Sequence, residues 1–265
     1  MQHSVAYNFG FAALVCVVCS MLVLTAAVSL KDRQQLNAEA YRQRNVLRVA
    51  GLMKPDETLG VEEVQKRFDE NIRVRIVDLQ TGQYAANESE LVKTYDQRQA
   101  TQEPSMSAPA PDNKAGILRL PTFGTVYEVL GAQGVQRLII PITGKGLWST
   151  IYGFLALAAD GKTIEGITFY EHGETPGLGG EIENPKWQAL WEGVSAYDDK
   201  GDVIVTVTKG KTSDKNGIQG LSGATLTSRG VSNLVRFWLG QDGFGPYLEN
   251  IRSGALSLNP ASEAA

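Results

Sequence analysis

Cysteine is nearly missing from these 265 residues: there are two, Cys16 and Cys19, and both fall inside one apolar run near the N-terminus. The rest of the chain has no thiol for a disulfide, a zinc site or an iron–sulfur cluster, so its stability must come from a packed core. A CxxC pair within an apolar run reads as small buried side chains. Histidine is as scarce: His3 precedes the run, and His172 alone follows it. Metal coordination by soft or imidazole ligands therefore has no donor set, and a Ser–His–Asp triad would rest on His172 without a G-x-S-x-G elbow. The formal net charge is only −4 and no basic stripe occurs, which removes the electrostatic case for nucleic-acid binding. No G-x-G-x-x-G follows a strand-like run. Chemistry in such a chain has to be brought by a cofactor.

What is present begins with the apolar run. Behind a tail of residues 1–8, residues 9–30 carry no charge, and their number matches the roughly 20 residues a helix needs to cross hydrocarbon. Ala27-Val28-Ser29 resembles a signal-peptide cleavage site, but no Lys or Arg precedes Phe9, and we read the run as an uncleaved single-span anchor. Lys31, Arg33, Arg42, Arg44 and Arg48 follow it. The positive-inside rule taken alone would keep the body in the cytoplasm.

The body reads as α+β. A membrane-proximal region over 31–120 begins with a helix from Lys31 to Val49. A second helix follows from Gly60 to Ile72, where Val61, Val64, Phe68 and Ile72 share a face. A strand covers Val74–Leu79 and ends in the turn Thr81-Gly82. Residues 96–114, rich in Pro, Ser, Ala and Gln, read as a loop. Over 121–250, β-rich runs at Thr125–Leu130, Val135–Ile142, Ile151–Ala158 and Thr163–Tyr170 are parted by glycine turns, which predicts a mostly antiparallel sheet. A short helix from Pro185 to Gly193, a strand from Val203 to Thr208, a helix up to Leu239-Gly240 and a tail of 251–265 complete the chain.

Three motifs stand out. Ser222-Gly223-Ala224-Thr225-Leu226-Thr227 opens the last helix, with Leu226, Val231, Leu234, Val235, Phe237 and Trp238 spaced as its buried side. Ser222, Thr225 or Thr227 caps that helix, or its free N–H groups form an anion site within reach of the Thr225 hydroxyl. Glu171-His172-Gly173-Glu174-Thr175-Pro176-Gly177-Leu178-Gly179-Gly180 is a glycine-rich loop that lets backbone approach a flat ligand. In it, Leu178 suits a ring face, and Glu174 and Thr175 suit polar ring edges. In Gly144-Lys145-Gly146-Leu147-Trp148 the indole either stacks on an aromatic cofactor or caps the core. Lys209 and Lys211, shortly before the first motif, can neutralise a phosphate or simply be solvated. Trp187, Trp191 and Trp238 read as core or interface.

Taken together, these motifs and the closing Phe237-Trp238-Leu239-Gly240 resemble the C-subunit family of the sodium-translocating NADH:quinone reductase, over nearly the whole chain. The resemblance implies an FMN-binding domain fold, with FMN joined through its phosphate to Thr225 by a flavin transferase. Ser222, Gly223 and Ala224 would then shape the approach, and Trp148, Glu174, Thr175, Leu178 and Lys209 would contact ring or phosphate. It further implies electron relay within a complex of six subunits in the bacterial inner membrane, coupling NADH oxidation by ubiquinone to sodium export, with the body in the periplasm. The flavin subunit of the Rnf-type ferredoxin–NAD reductase shares the S/T-G-A-T chemistry. A non-redox anchored module, with the motif as a mere cap, is the reading from another class. One departure is visible: Gln219 stands where the transferase motif has an acidic residue three positions before the Ser/Thr.

Overall fold

The computed structural model describes residues 4–54, 57–132, 134–210 and 216–258. The first element, α1 (Val5–Val49), is one uninterrupted helix of 45 residues, roughly 68 Å long. Ser4 caps it by accepting from the Tyr7 N–H at 3.3 Å. Its first 27 residues, Val5–Lys31, are apolar enough to cross a membrane and have no part in the core. Past Lys31 the same helix enters the body, burying Ala40, Val46 and Leu47. The expected anchor and the helix after it are thus a single rod.

Helix α2 (Val61–Asn71) buries Val64 and Phe68, and Glu62 and Glu63 in its first turn complement the helix dipole. Ile72 leaves the helix for extended backbone and opens β1 (Ile72–Asp78). Residues 96–114 are not the plain loop their composition suggests. After α3 (Glu88–Thr94), the Asp96 carboxylate accepts from the N–H groups of Arg98 and Gln99 and starts α4 (Gln97–Gln102). A short hairpin of β2 (Ser107–Pro109) and β3 (Arg119–Pro121) follows. The cap was readable. The helix was not, because it buries only Ala100 and so has no apolar stripe.

Four longer strands follow: β4 (Phe123–Gly131), β5 (Gly134–Lys145), β6 (Thr150–Ala158) and β7 (Ile164–Glu171). They form an antiparallel sheet in the order β1-β4-β5-β6-β7. Because β1 pairs with β4 along its full length, the membrane-proximal segment supplies an edge of the main sheet. After β7, the expected helix over 185–193 shrinks to α5 (Pro185–Gln188) and a 3-10 turn, Ala189–Trp191. The strand expected from Val203 is three residues, β8 (Thr206–Thr208), and pairs in parallel with β9 (Gly217–Gln219). Helices α6 (Thr225–Leu239) and α7 (Gly245–Arg252) close the described chain.

The sheet is covered on both faces. On one, Val46, Leu47, Val64 and Phe68 pack on Val129, Ile139 and Phe154. On the other, α6 and α7 pack on Leu138, Ile140 and Ile142, and Trp187, Trp191 and Trp238 belong to that core as expected.

The sheet also forks. Pairing of β4 with β5 stops at Tyr127↔Ile139, although β4 continues alongside β1 to Phe123 and β5 alongside β6 to Lys145. The next residue of β5 able to face β4 is Pro141, which has no N–H to give a ladder. In place of a β5 carbonyl, the Thr125 N–H finds the side-chain oxygen of Gln97 on α4 at 2.7 Å. On the far side of the fork, the Thr143 carbonyl accepts from the Trp238 indole N–H, and the Lys145 N–H donates to the Ala115 carbonyl. Each strand edge finds partners outside the other strand, and a cavity of about 840 Å3 lies in the opening.

Candidate functional site

The three sequence motifs meet at one end of the molecule. The β5–β6 turn carries Gly146 to Ser149, the loop after β7 carries His172 to Gly180, and the β9–α6 junction carries Leu221 to Thr225. Direct bonds tie the first two: the Gly173 N–H donates to the Ser149 hydroxyl at 2.6 Å, and the Trp148 N–H to the Glu174 carboxylate at 3.0 Å. The other oxygen of Glu174 accepts from the Thr227 hydroxyl in the first turn of α6. Glu174, 4% exposed, therefore clamps all three segments. Burial alone would raise its carboxyl pKa, but hydrogen bonds from Thr227 and from the N–H groups of Trp148, Leu147 and Ser149 hold it below the ordinary glutamate value.

Small residues make the convergence possible. A Cβ on Gly230 would stand 2.6 Å from the Lys145 carbonyl oxygen, so only glycine lets α6 sit directly on the β5–β6 turn. At Gly223, φ is +75°, the left-handed turn that leads the chain into α6. The helix begins without a side-chain cap. Thr227, one candidate for that role, is committed to Glu174, so the capping reading gives way to one of unblocked first-turn N–H groups.

Exposure separates the expected site residues into two groups. Ser222, Gly223, Thr225, Thr175 and Leu178 lie on the surface, and Ala224 beneath them is buried. Trp148 is 70% exposed and so does not cap the core. Leu226, expected on the buried side of α6, is 53% exposed. It belongs to the helix's outer face with Arg229 and Asn233, beside a shallow groove of about 270 Å3. Glu174 departs from its expected place at a ring edge, because its carboxylate is turned inward. Lys209 lies exposed one residue beyond β8, and Lys211 falls outside the described residues. Thr227 was read only as a cap and not as a partner of Glu174, and Gly230 escaped sequence reading, although a glycine in mid-helix already signals a close backbone approach.

An exposed threonine hydroxyl at an uncapped helix start, flanked by bare Trp148, Leu178 and Leu226, fits a flat ligand held from one anionic end. Comparison with known proteins agrees. The FMN-binding domain family matches residues 146–240, which contain the whole convergence. The C subunit of the Na(+)-translocating NADH-quinone reductase from Yersinia pestis is 47% identical over 261 residues, 96% of this chain and 96% of the relative. The chain belongs to that C-subunit family. The Pseudomonas aeruginosa member is 44% identical, covering 96% of this chain and 98% of its own. The crystal structure of Shewanella oneidensis NqrC superposes with a TM-score of 0.73 at 33% identity, over 82% of this chain and 99% of the other. Family membership and the apolar first part of α1 together make this a membrane-anchored protein.

Proposed function

We propose that this chain is the flavin-carrying C subunit of a sodium-pumping NADH:quinone reductase, with FMN esterified through its phosphate to the Thr225 hydroxyl. The observation that carries this reading is the exposed Thr225 at the uncapped start of α6, where all three motif loops are clamped together by Glu174. FMN, when bound, supplies the reversible electron transfer for which this chain has no side chains of its own.

Each neighbouring residue then has a task. Thr225 Oγ holds the phosphate, and the helix start stabilises the remaining negative charge by about 0.3–1 kcal/mol. Trp148 and Leu178 offer apolar faces to the ring, Thr175 a polar edge, and Lys209 a cation toward the phosphate. Ser222, Gly223 and Ala224 keep the approach to Thr225 narrow and free of bulk. Glu174 acts behind them as a positioning residue. The Gln219 backbone is fixed, its carbonyl accepting from the Trp187 indole at 2.8 Å, while its side chain is exposed. Position 219 is thus presented outward, where a flavin transferase would read it. In this reading the body is periplasmic, α1 crosses the inner membrane, and the partners are five other subunits to which electrons pass on the way to ubiquinone as sodium is exported.

The test is co-expression of the full chain with a flavin transferase, followed by a denaturing gel viewed under ultraviolet light. We expect flavin fluorescence at the chain's mass, its complete loss in Thr225→Ala, and a brighter band in Gln219→Asp at limiting transferase. Fluorescence that survives Thr225→Ala would sink the assignment.

A further inference from the structure

The larger of the two cavities described reaches the motif end only at Gly144, Thr150 and Glu171. It lies in the fork between β4 and β5, on the side of the sheet that α1 covers. Its walls continue a line of rings across that face. Phe68 meets Tyr127 edge-on at 6.0 Å between centroids, Tyr127 meets Phe154 at 5.8 Å, and Phe154 stacks on Tyr170 at 5.1 Å and 26°. Tyr152 lies 6.4 Å beyond Tyr170, under the Arg98 guanidinium at 4.0 Å. Trp238 lines the cavity from the α6 side.

The charges around this opening balance in sum, Arg42, Arg98 and Arg119 against Glu39, Asp96 and Glu171. Arg42 of α1 binds Asp96 at 2.9 Å, and Arg98 grips both oxygens of Glu171 at 2.6 and 2.8 Å. An ionic ligand would meet charge of both signs and no net field to favour it. The phenols, by contrast, keep their protons at any physiological pH, since burial raises the pKa of both Tyr127 and Tyr170 above the ordinary tyrosine value. The volume falls in the range of small-molecule sites, which are mostly apolar with a few fixed polar groups. The α1 wall at Tyr41 and Arg42 stands about 15 Å along the helix from Lys31, where the membrane-crossing stretch ends.

We propose that this fork is a second binding site, for a neutral aromatic ring bearing carbonyl acceptors, of the quinone or flavin-ring class. Flat aromatic walls, phenolic donors and cancelled charge select such a ring over an anion, a cation or a plain alkyl chain. Pro141 and Gln97 are the residues that keep the site open, one by withholding a ladder donor and the other by replacing the missing acceptor. The site's α6 wall, Trp238, stands at the opposite end of that helix from Thr225.

The experiment uses the full-length chain in lipid nanodiscs, with empty discs as the partition control and equilibrium dialysis as the readout. Two probes distinguish the sources of one chemistry: 2,3-dimethoxy-5-methyl-1,4-benzoquinone for a membrane quinone, and riboflavin for a soluble ring. We expect saturable binding of at least one probe at one ring per chain. Tyr170→Phe should weaken it about fivefold through one lost donor, and Thr101→Trp, which fills the cavity from α4, should weaken it at least as much. Retained flavin fluorescence at Thr225 and an unchanged thermal midpoint show that a variant is folded. Should Thr101→Trp fail that control, Pro141→Val narrows the same opening from β5. Preference for the benzoquinone assigns the site to a membrane ligand, and preference for riboflavin to a soluble one. The proposal is overturned if neither probe saturates, if folded variants bind as well as the parent, or if a dodecyl amphiphile binds saturably where both rings do not.

Discussion

On the readings proposed above, the two ends of this sheet would hold something flat in opposite ways. At the motif end the apolar groups are bare: Trp148, Leu178 and Leu226 stand in solvent on glycine-rich loops, and one buried carboxylate keeps the loops together. At the fork the rings are recessed between α1, α4 and the sheet, and paired charges close the surroundings. Enclosure is what a ligand without a covalent bond requires, because its affinity must come from buried surface. A covalently tethered ligand needs no enclosure, and its edge can stay open to partners. The shallow site and the deep one are therefore consistent with different modes of retention, and each perturbation below pulls on one side of that contrast.

The largest effect should come from the clamp. Glu174→Ala leaves the Thr227 hydroxyl without its acceptor in a buried place and removes the oxygen that holds the Trp148 N–H. We expect a loss of about 2–3 kcal/mol in stability, read by denaturant unfolding of the full chain, together with reduced flavin loading. A variant that kept both would mean that the three loops converge without the clamp.

Gly230→Ala tests the packing under the same loops. Alanine gains about 1 kcal/mol of helix propensity over glycine. Its Cβ, however, would meet the Lys145 oxygen at 2.6 Å and Gly146 Cα at 3.3 Å, and overpacking of this kind costs about 1–3 kcal/mol. Because the contact is with backbone, the clash should win by about 1 kcal/mol, lowering the thermal midpoint. An equal or higher midpoint would show that α6 can lift off the turn.

Much of the motif end was legible in the sequence, because its signals are local. Gly223 and Thr225 sit where a turn and a helix start were expected, and the glycine loops are where composition put them. Two features were not legible. The inward turn of Glu174 depends on Thr227, 53 residues away, and no periodicity in either segment encodes that meeting. Leu226 fits the apolar spacing of α6 and yet faces outward, since a hydrophobic residue at a site's rim looks like a core residue in one dimension. The fork was less legible still. Pro141 in a strand run was a visible irregularity, but its consequence depends on Gln97 replacing a strand carbonyl, an arrangement only the folded chain reveals.

Acid should separate the ends by a smaller margin. Glu174 has a folded pKa below the ordinary glutamate value of about 4.3. Its contribution is fully present above that ordinary value and is lost as the pH falls through the lower folded one. The stability difference between the parent and Glu174→Gln should therefore be level at neutral pH and shrink below about pH 4. A difference that grew on acidification would mean that burial, and not the hydrogen bonds, dominates this carboxyl.

The smallest effect is expected at the mouth of the fork. Arg98 makes a two-pronged pair with Glu171 and lies over the Tyr152 ring, but its side chain is 44% exposed and that of Glu171 50%. Exposed pairs contribute about 0–1 kcal/mol because water and salt screen them, so Arg98→Ala should change stability by no more than that. Its value lies in what should move more than stability does. Without Arg98, Glu171 loses its counter-charge beside Tyr152, and the opening becomes net negative. Ring binding at the fork should weaken in Arg98→Ala and recover in Arg98→Ala with Glu171→Gln, as dialysis would show, while flavin loading at Thr225 stays constant. Loss of loading in the single variant would break the contrast between the two ends, since it would make them one coupled unit.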